Sequence, residues 1–149
     1  MPGLLSRLFG KTLAAPVVFV ADTSYDGEAD ALVAALEARG AHVEKSLTGT
    51  PWMTYADTGR QIERSGAVVV LMDGPTSATC TLYELDLAAG GQERRGNGPR
   101  PTFIYGRRSD ELDEQLRGFL SEDRLPTFLP DDMDAAVDVV LAAATRSTA

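Results

Sequence analysis

Glu84 stands in the run Thr81-Leu82-Tyr83-Glu84-Leu85, an acid flanked by apolar side chains and preceded by an aromatic one. In the first turn of a helix, such a carboxylate can stabilise or attack an oxocarbenium-like anomeric carbon, the transition state of glycosidic cleavage. The same residues also fit a plainer role. Thr81-x-x-Glu84 has the spacing of a capping box, in which the glutamate folds back onto the Thr81 N–H and only finishes the helix. Two further segments are rich in polar chemistry: Asp22-Thr23-Ser24-Tyr25-Asp26-Gly27, and Asp73-Gly74-Pro75-Thr76-Ser77-Ala78-Thr79-Cys80, which runs directly into Thr81. Their hydroxyls and carboxylates suit a ligand-binding loop, and equally a solvated one.

What these segments lack excludes several chemistries. Neither has the glycine spacing of a Walker loop or a dinucleotide fingerprint. A flavin-phosphate loop wants clustered Ser, Thr and Gly, whereas Asp22 and Asp26 would repel a phosphate. Asp22 and Asp73 occupy the places of the paired carboxylates of a phospho-receiver site. That site also takes a hydroxyl ending the fourth strand and a lysine ending the fifth, where this chain has Tyr105-Gly106 and Leu129-Pro130. The single cysteine and single histidine make neither an internal disulfide nor a zinc site. His42 opens a strand, at the end of the sheet opposite the polar loops, so Cys80 has no base in reach and His42 reads as a surface residue. No metal and no bound cofactor are expected.

The elements that must position these residues follow from two alternating periods. Val17-Val18-Phe19-Val20 is a short apolar run suited to a strand buried on both faces. Ala29, Leu32, Val33 and Leu36 then recur at helical spacing, with Gly40 where a C-terminal cap belongs. Residues 41–47 read as a weaker strand. Thr50-Pro51 opens a polar helix to about Ser65, and residues 67–72 are the clearest strand in the chain. A helix over about 79–90 and a Gly/Arg-rich loop lead to a fourth strand at 101–105. Leu112, Leu116, Phe119 and Leu120 mark the next helix, and 125–129 a proline-interrupted edge strand. Met133, Ala136, Val137, Val140, Leu141 and Ala144 mark the last helix.

Alternating strands and helices with right-handed crossovers predict an α/β, flavodoxin-like three-layer sandwich. Its five-stranded parallel sheet takes the order 2-1-3-4-5. In such sheets ligands bind beyond the carboxyl ends of the strands where the order reverses, between the first and third. That rule nominates the loops after Ala21 and Met72 without reference to any family.

Composition agrees with one domain. The chain has 149 residues, 44% hydrophobic and 24% charged, enough to bury a core without disulfides or metal. A net charge of −8 argues against tracking a nucleic-acid backbone. The apolar run from Leu13 to Ala21 is about half of a membrane span. It follows Arg7 and Lys11 in loose imitation of a signal peptide, but cleavage after Ala21 would remove the first core strand. Residues 1–15 are therefore expected to be a lead-in, residues 16–149 a single domain, and the protein cytoplasmic, with no membrane partner.

Two families resemble this pattern. Ile62-Glu63-Arg64-Ser65-Gly66 before the Val68-Val69-Val70-Leu71 strand, a hydroxyl-rich loop, and then Tyr83-Glu84-Leu85-x-x-Ala88 resemble the Toll/interleukin-1 receptor (TIR) domain. So does Phe19-Val20-Ala21-Asp22 before an Ala/Leu-rich helix ending at Gly40. The resemblance spans most of residues 16–145, and implies cleavage of the nicotinamide–ribose bond of NAD by Glu84. The chain departs from it in having Cys80-Thr81 where a Trp-Cys pair is common, and Asp73 where the loop usually begins with serine. Asp73-Gly74 with Thr81-Leu82-Tyr83-Glu84-Leu85 is instead similar to nucleoside 2-deoxyribosyltransferases and related nucleotide N-glycosidases, whose nucleophile is again the glutamate at Glu84. Here the segment from Glu84 to the fourth strand is longer than in that family, and Asp86 replaces a glycine. Either resemblance implies a ribosyl N-glycosidic bond over Glu84 with Tyr83 beside it. It implies Asp22, Thr23, Ser24, Asp73, Gly74 and Thr81 around the sugar or base, and Tyr25 or Trp52 as a pocket wall. NAD is then a substrate rather than a cofactor. TIR-like domains also act by assembly, so a homo-oligomer or another protein partner, without catalysis, is the third reading.

Overall fold

A computed structural model of the chain describes residues 15–22, 28–45, 55–72, 100–120, 122 and 125–148. Five strands lie in these segments: β1 (Val17–Asp22), β2 (His42–Lys45), β3 (Ala67–Leu71), β4 (Thr102–Tyr105) and β5 (Thr127–Phe128). Four helices accompany them: α1 (Glu28–Ala38), α2 (Tyr55–Arg64), α3 (Asp110–Phe119) and α4 (Met133–Thr148). Every strand pairing is parallel, and the order across the sheet is β2-β1-β3-β4-β5. The flavodoxin-like α/β fold expected from the pattern is the fold observed. None of the described helices is long and apolar enough to cross a membrane.

The period-2 alternation of the strands sends neighbouring residues into two separate cores. Val18, Val20, Ala67, Val69, Leu71 and Phe103 face Leu32, Val33 and Leu36 of α1 and Ala136, Val137, Val140, Ala143 and Ala144 of α4. Phe19, Ala21, Val68, Val70, Met72 and Ile104 face Ile62 of α2 and Leu112, Leu116 and Leu120 on the α3 side. Because both faces are covered, β1 and β3 are continuous apolar runs, and Val18, Phe19, Val20 and Ala67 to Val70 are wholly buried.

Local chemistry sets the ends of the elements. Gly40 has φ +90°, and the Ala41 N–H donates to Leu36 O while the Gly40 N–H donates to Glu37 O. That is a Schellman cap, which a residue with a Cβ closes at a cost. Ser65, buried at the end of α2, donates its hydroxyl to the carbonyls of Gln61 (3.0 Å) and Ile62 (2.8 Å). Ser109 caps α3 by accepting from the Leu112 N–H, ahead of Asp110, Glu111 and Asp113 in the first turn.

At the fifth and second strands the boundaries differ from the sequence reading. The fifth strand, expected over 125–129, is two residues long. Pro126 lacks an N–H and cannot join a ladder, so pairing begins at Thr127. The second strand pairs over His42–Lys45 rather than from Ala41. The first part of the polar helix expected from Pro51, the helix expected over 79–90, and the Gly/Arg-rich loop lie outside the described residues.

Candidate functional site

β1 carries the site's first anchor. It pairs with β3 from Val18↔Ala67 to Asp22↔Leu71, and with β2 from Val17↔His42 to Val20↔Lys45. Ala21 and Asp22 therefore run two residues past the end of β2, paired on the β3 side alone among the described residues. From β1 the chain crosses by α1 to β2 on one side, and from β3 the strand order moves to β4 and β5 on the other. The reversal falls between β1 and β3, so the carboxyl ends of these two strands are the switch point of this sheet.

Asp22 closes β1 beside Leu71, and Asp73 lies two residues beyond Leu71 in sequence. The two polar loops nominated from sequence thus depart from adjacent strand ends. Asp22 is the one nominated residue whose backbone is described. Thr23, Ser24, Tyr25, Asp73, Gly74, Thr81, Tyr83 and Glu84 lie outside the described residues, as do Trp52 and Cys80.

The described rim continues along the other strand ends. The Met72 N–H donates to Tyr105 O at 3.2 Å, and the Leu129 N–H to Ile104 O at 2.8 Å, so the ladder extends one step past β3 and β5. Tyr105 packs against the α1/α4 core, and its hydroxyl reaches the Asp131 carbonyl at 3.4 Å, a long contact. It joins β4 to the segment entering α4, where Asp132 accepts from the Ala135 N–H at 3.0 Å and caps the helix. The sequence reading took Tyr105 only as a strand end. Its inward position with a polar tip is the signal that marks such a tie. At the β2 end, Lys45 Nζ lies 2.7 Å from Asp30 Oδ1 across the surface, an exposed pair of small energetic weight.

His42 opens β2 opposite Val17, at the amino end of the sheet, and is exposed. That is the far end from Asp22, as expected. Its Nε2 lies 3.8 Å from Glu44 Oε1, and Arg64 also reaches Glu44, at 3.4 Å. β4 ends in the inward-packed Tyr105, and β5 runs into Leu129-Pro130, so the fifth strand end offers no lysine. Among the described residues, no group of three or more His, Cys, Asp or Glu could hold a metal ion.

Comparison with known proteins speaks to the fold. The sequence matches no protein-family model and, at a significant level, no curated protein. Solved structures do match. The signal receiver domain of a Luxo repressor-type protein from Vibrio parahaemolyticus is similar at 17% identity and TM-score 0.56, over 91% of this chain and 94% of that one. A diflavin flavoprotein A3 from Nostoc sp. is similar at 16% identity and TM-score 0.56, over 91% and 97%. The TIR domain heterodimer of RPS4 and RRS1 is similar at 12% identity and TM-score 0.52, over 89% and 95%. Receiver, flavodoxin-like and TIR domains thus stand at comparable distance, and at such identities the likeness is one of backbone course alone.

Proposed function

We propose that this chain is a TIR-like domain that cleaves the nicotinamide–ribose bond of NAD, with Glu84 as the catalytic carboxylate. The observation that carries the reading is the switch point. Asp22 closes β1 in register with Leu71, so the loop after β1 and the segment leading to Glu84 leave the sheet side by side. The backbone likeness to a TIR domain agrees with the sequence resemblance over residues 16–145. In this mechanism the C1′–N bond breaks with its electron pair going to nicotinamide, which leaves neutral because it was cationic in NAD and needs no general acid. Glu84 stabilises or captures the oxocarbenium-like carbon, and water completes the hydrolysis. Tyr83 packs beside the ribose, and Asp22, Thr23, Ser24 and Tyr25 supply contacts from the first loop.

Asp73-Gly74 favours a second reading, a nucleoside or nucleotide N-glycosidase. A neutral base must be protonated to leave, and Asp73 would be the acid. Product chromatography separates the two readings. The expected outcome is nicotinamide release from NAD at high protein concentration, lost in Glu84→Gln and retained in Asp73→Asn. Free base from nucleosides, lost in both variants, supports the second reading instead. Nicotinamide release that survives in Glu84→Gln refutes the assignment of Glu84. Since the similar TIR domains form a heterodimer, we propose self-association or a protein partner for this chain as well. No turnover of NAD, nucleosides or nucleotides would leave that assembly role as the surviving reading.

A further inference from the structure

We propose that the cleft between α3 and β5 binds a small monoanionic carboxylate with an aromatic or apolar body. The cleft measures about 250 Å³, room for roughly a dozen non-hydrogen atoms. It lies at the outer edge of the sheet, where β5 is the last strand, with β4 between it and the β1/β3 switch point. It is a site separate from the one proposed above.

Part of the lining is apolar. Leu116 belongs to the buried core, and Leu125 and Phe128 are partly buried against the same cluster. Among the described residues, the charged part of the lining is two guanidiniums, Arg108 and Arg117, and one carboxylate, Asp113. Arg108 is held in place from two directions. Its guanidinium lies over the Phe128 ring, 5.1 Å from the centroid, and its Nε donates to Asp113 Oδ2 at 3.1 Å. The Nε bond uses one of five N–H donors and, among the described residues, leaves the terminal fork, the group that takes a carboxylate by two parallel hydrogen bonds. Arg117 pairs with Glu122, which is 78% exposed, so exchanging that partner for a ligand carboxylate costs little.

The lining also selects among ligands. A cation gains nothing, since Asp113 is already bound to Arg108. A phosphate dianion would place its second charge against Asp113. A single negative charge between the arginines, with a flat body over Leu116, Leu125 and Phe128, satisfies both parts of the cleft.

Titration of the full chain with 3-phenylpropanoate, and with the uncharged 3-phenylpropanol, tests this by calorimetry and amide NMR. The acid is expected to bind saturably and about fivefold tighter than the alcohol, roughly 1 kcal/mol. Amide shifts should centre on Leu116, Thr127 and Phe128. Arg117→Gln and Arg108→Gln should each bring the acid down towards the alcohol. Arg108→Lys, which keeps the charge and loses the fork, should weaken it too. Arg39→Gln, in the α1–α4 pair on the opposite face, should bind as wild type, and melting curves would confirm that each variant is folded. Equal affinity for acid and alcohol, no saturation at concentrations on the order of 10 mM, or arginine variants that match wild type would overturn the proposal.

Discussion

A methyl group on Gly66 would lie 2.6 Å from the Ala144 carbonyl oxygen, and that oxygen belongs to helix backbone that cannot swing aside. The Gly66 N–H also donates to Val17 O at 2.7 Å, so the backbone is pinned from both sides. Gly66→Ala is expected to lower stability by about 1–3 kcal/mol in urea unfolding, as overpacking does. Gly40→Ala meets no atom within 4 Å, yet φ +90° strains an alanine, and a loss of about 1 kcal/mol is expected. Sequence alone marks Gly40, because a glycine just past a helical period has one common use. It does not mark Gly66, whose neighbour stands 78 residues away. The capping box at Thr81-x-x-Glu84 shows the same limit in the candidate site. Local spacing allows both a cap and a catalyst, and kinetics must separate them. A catalytic Glu84 predicts a loss in turnover of about a hundredfold or more in Glu84→Gln, with little change in melting temperature. A capping glutamate predicts the reverse.

At the scale of the element, α3 combines the clearest start signal with an avoidable weakness. Ser109 caps it and three acids fill its first turn. Ser109→Ala should cost about 1 kcal/mol. Near its other end Gly118 is exposed, and a methyl group added there would meet nothing within 4 Å, so Gly118→Ala should raise stability by about 0.5–1 kcal/mol. Both shifts can be read from urea midpoints at constant slope. The strands were legible in proportion to their burial. β1 and β3, covered on both faces, stand out as apolar runs, whereas β5 has Pro126 inside its apolar stretch and shrinks to the two residues that can still pair.

For the molecule as a whole, the sheet divides the interior into two clusters that share strands but no helices. Leu36, on α1, and Leu116, on α3, lie on opposite faces of the sheet and are both buried. Each Leu→Ala substitution should cost about 2–5 kcal/mol. With the sheet between them and no shared contact, the double variant should add to within about 0.5 kcal/mol. A deficit well beyond that would show that the two cores unfold through a common strained sheet. The proposed assembly adds a prediction at this scale. Nicotinamide release per protomer should rise with protein concentration, in step with sedimentation of a larger species.

From the sequence alone came the α/β class, the strand order and the amino-end position of His42. All of these depend on local periods and on chirality rules that hold for any chain of this pattern. The switch point was also legible, since it follows once the strand order is known. Tertiary structure decided what depends on pairs distant in sequence. It set Asp22 beside Leu71, brought Tyr105 to the Asp131 carbonyl and Gly66 against Ala144, and joined Arg108 to Phe128 at the rim of a cleft. No spacing rule encodes such contacts, because they arise only when separate elements pack and each side chain takes the room its neighbours leave.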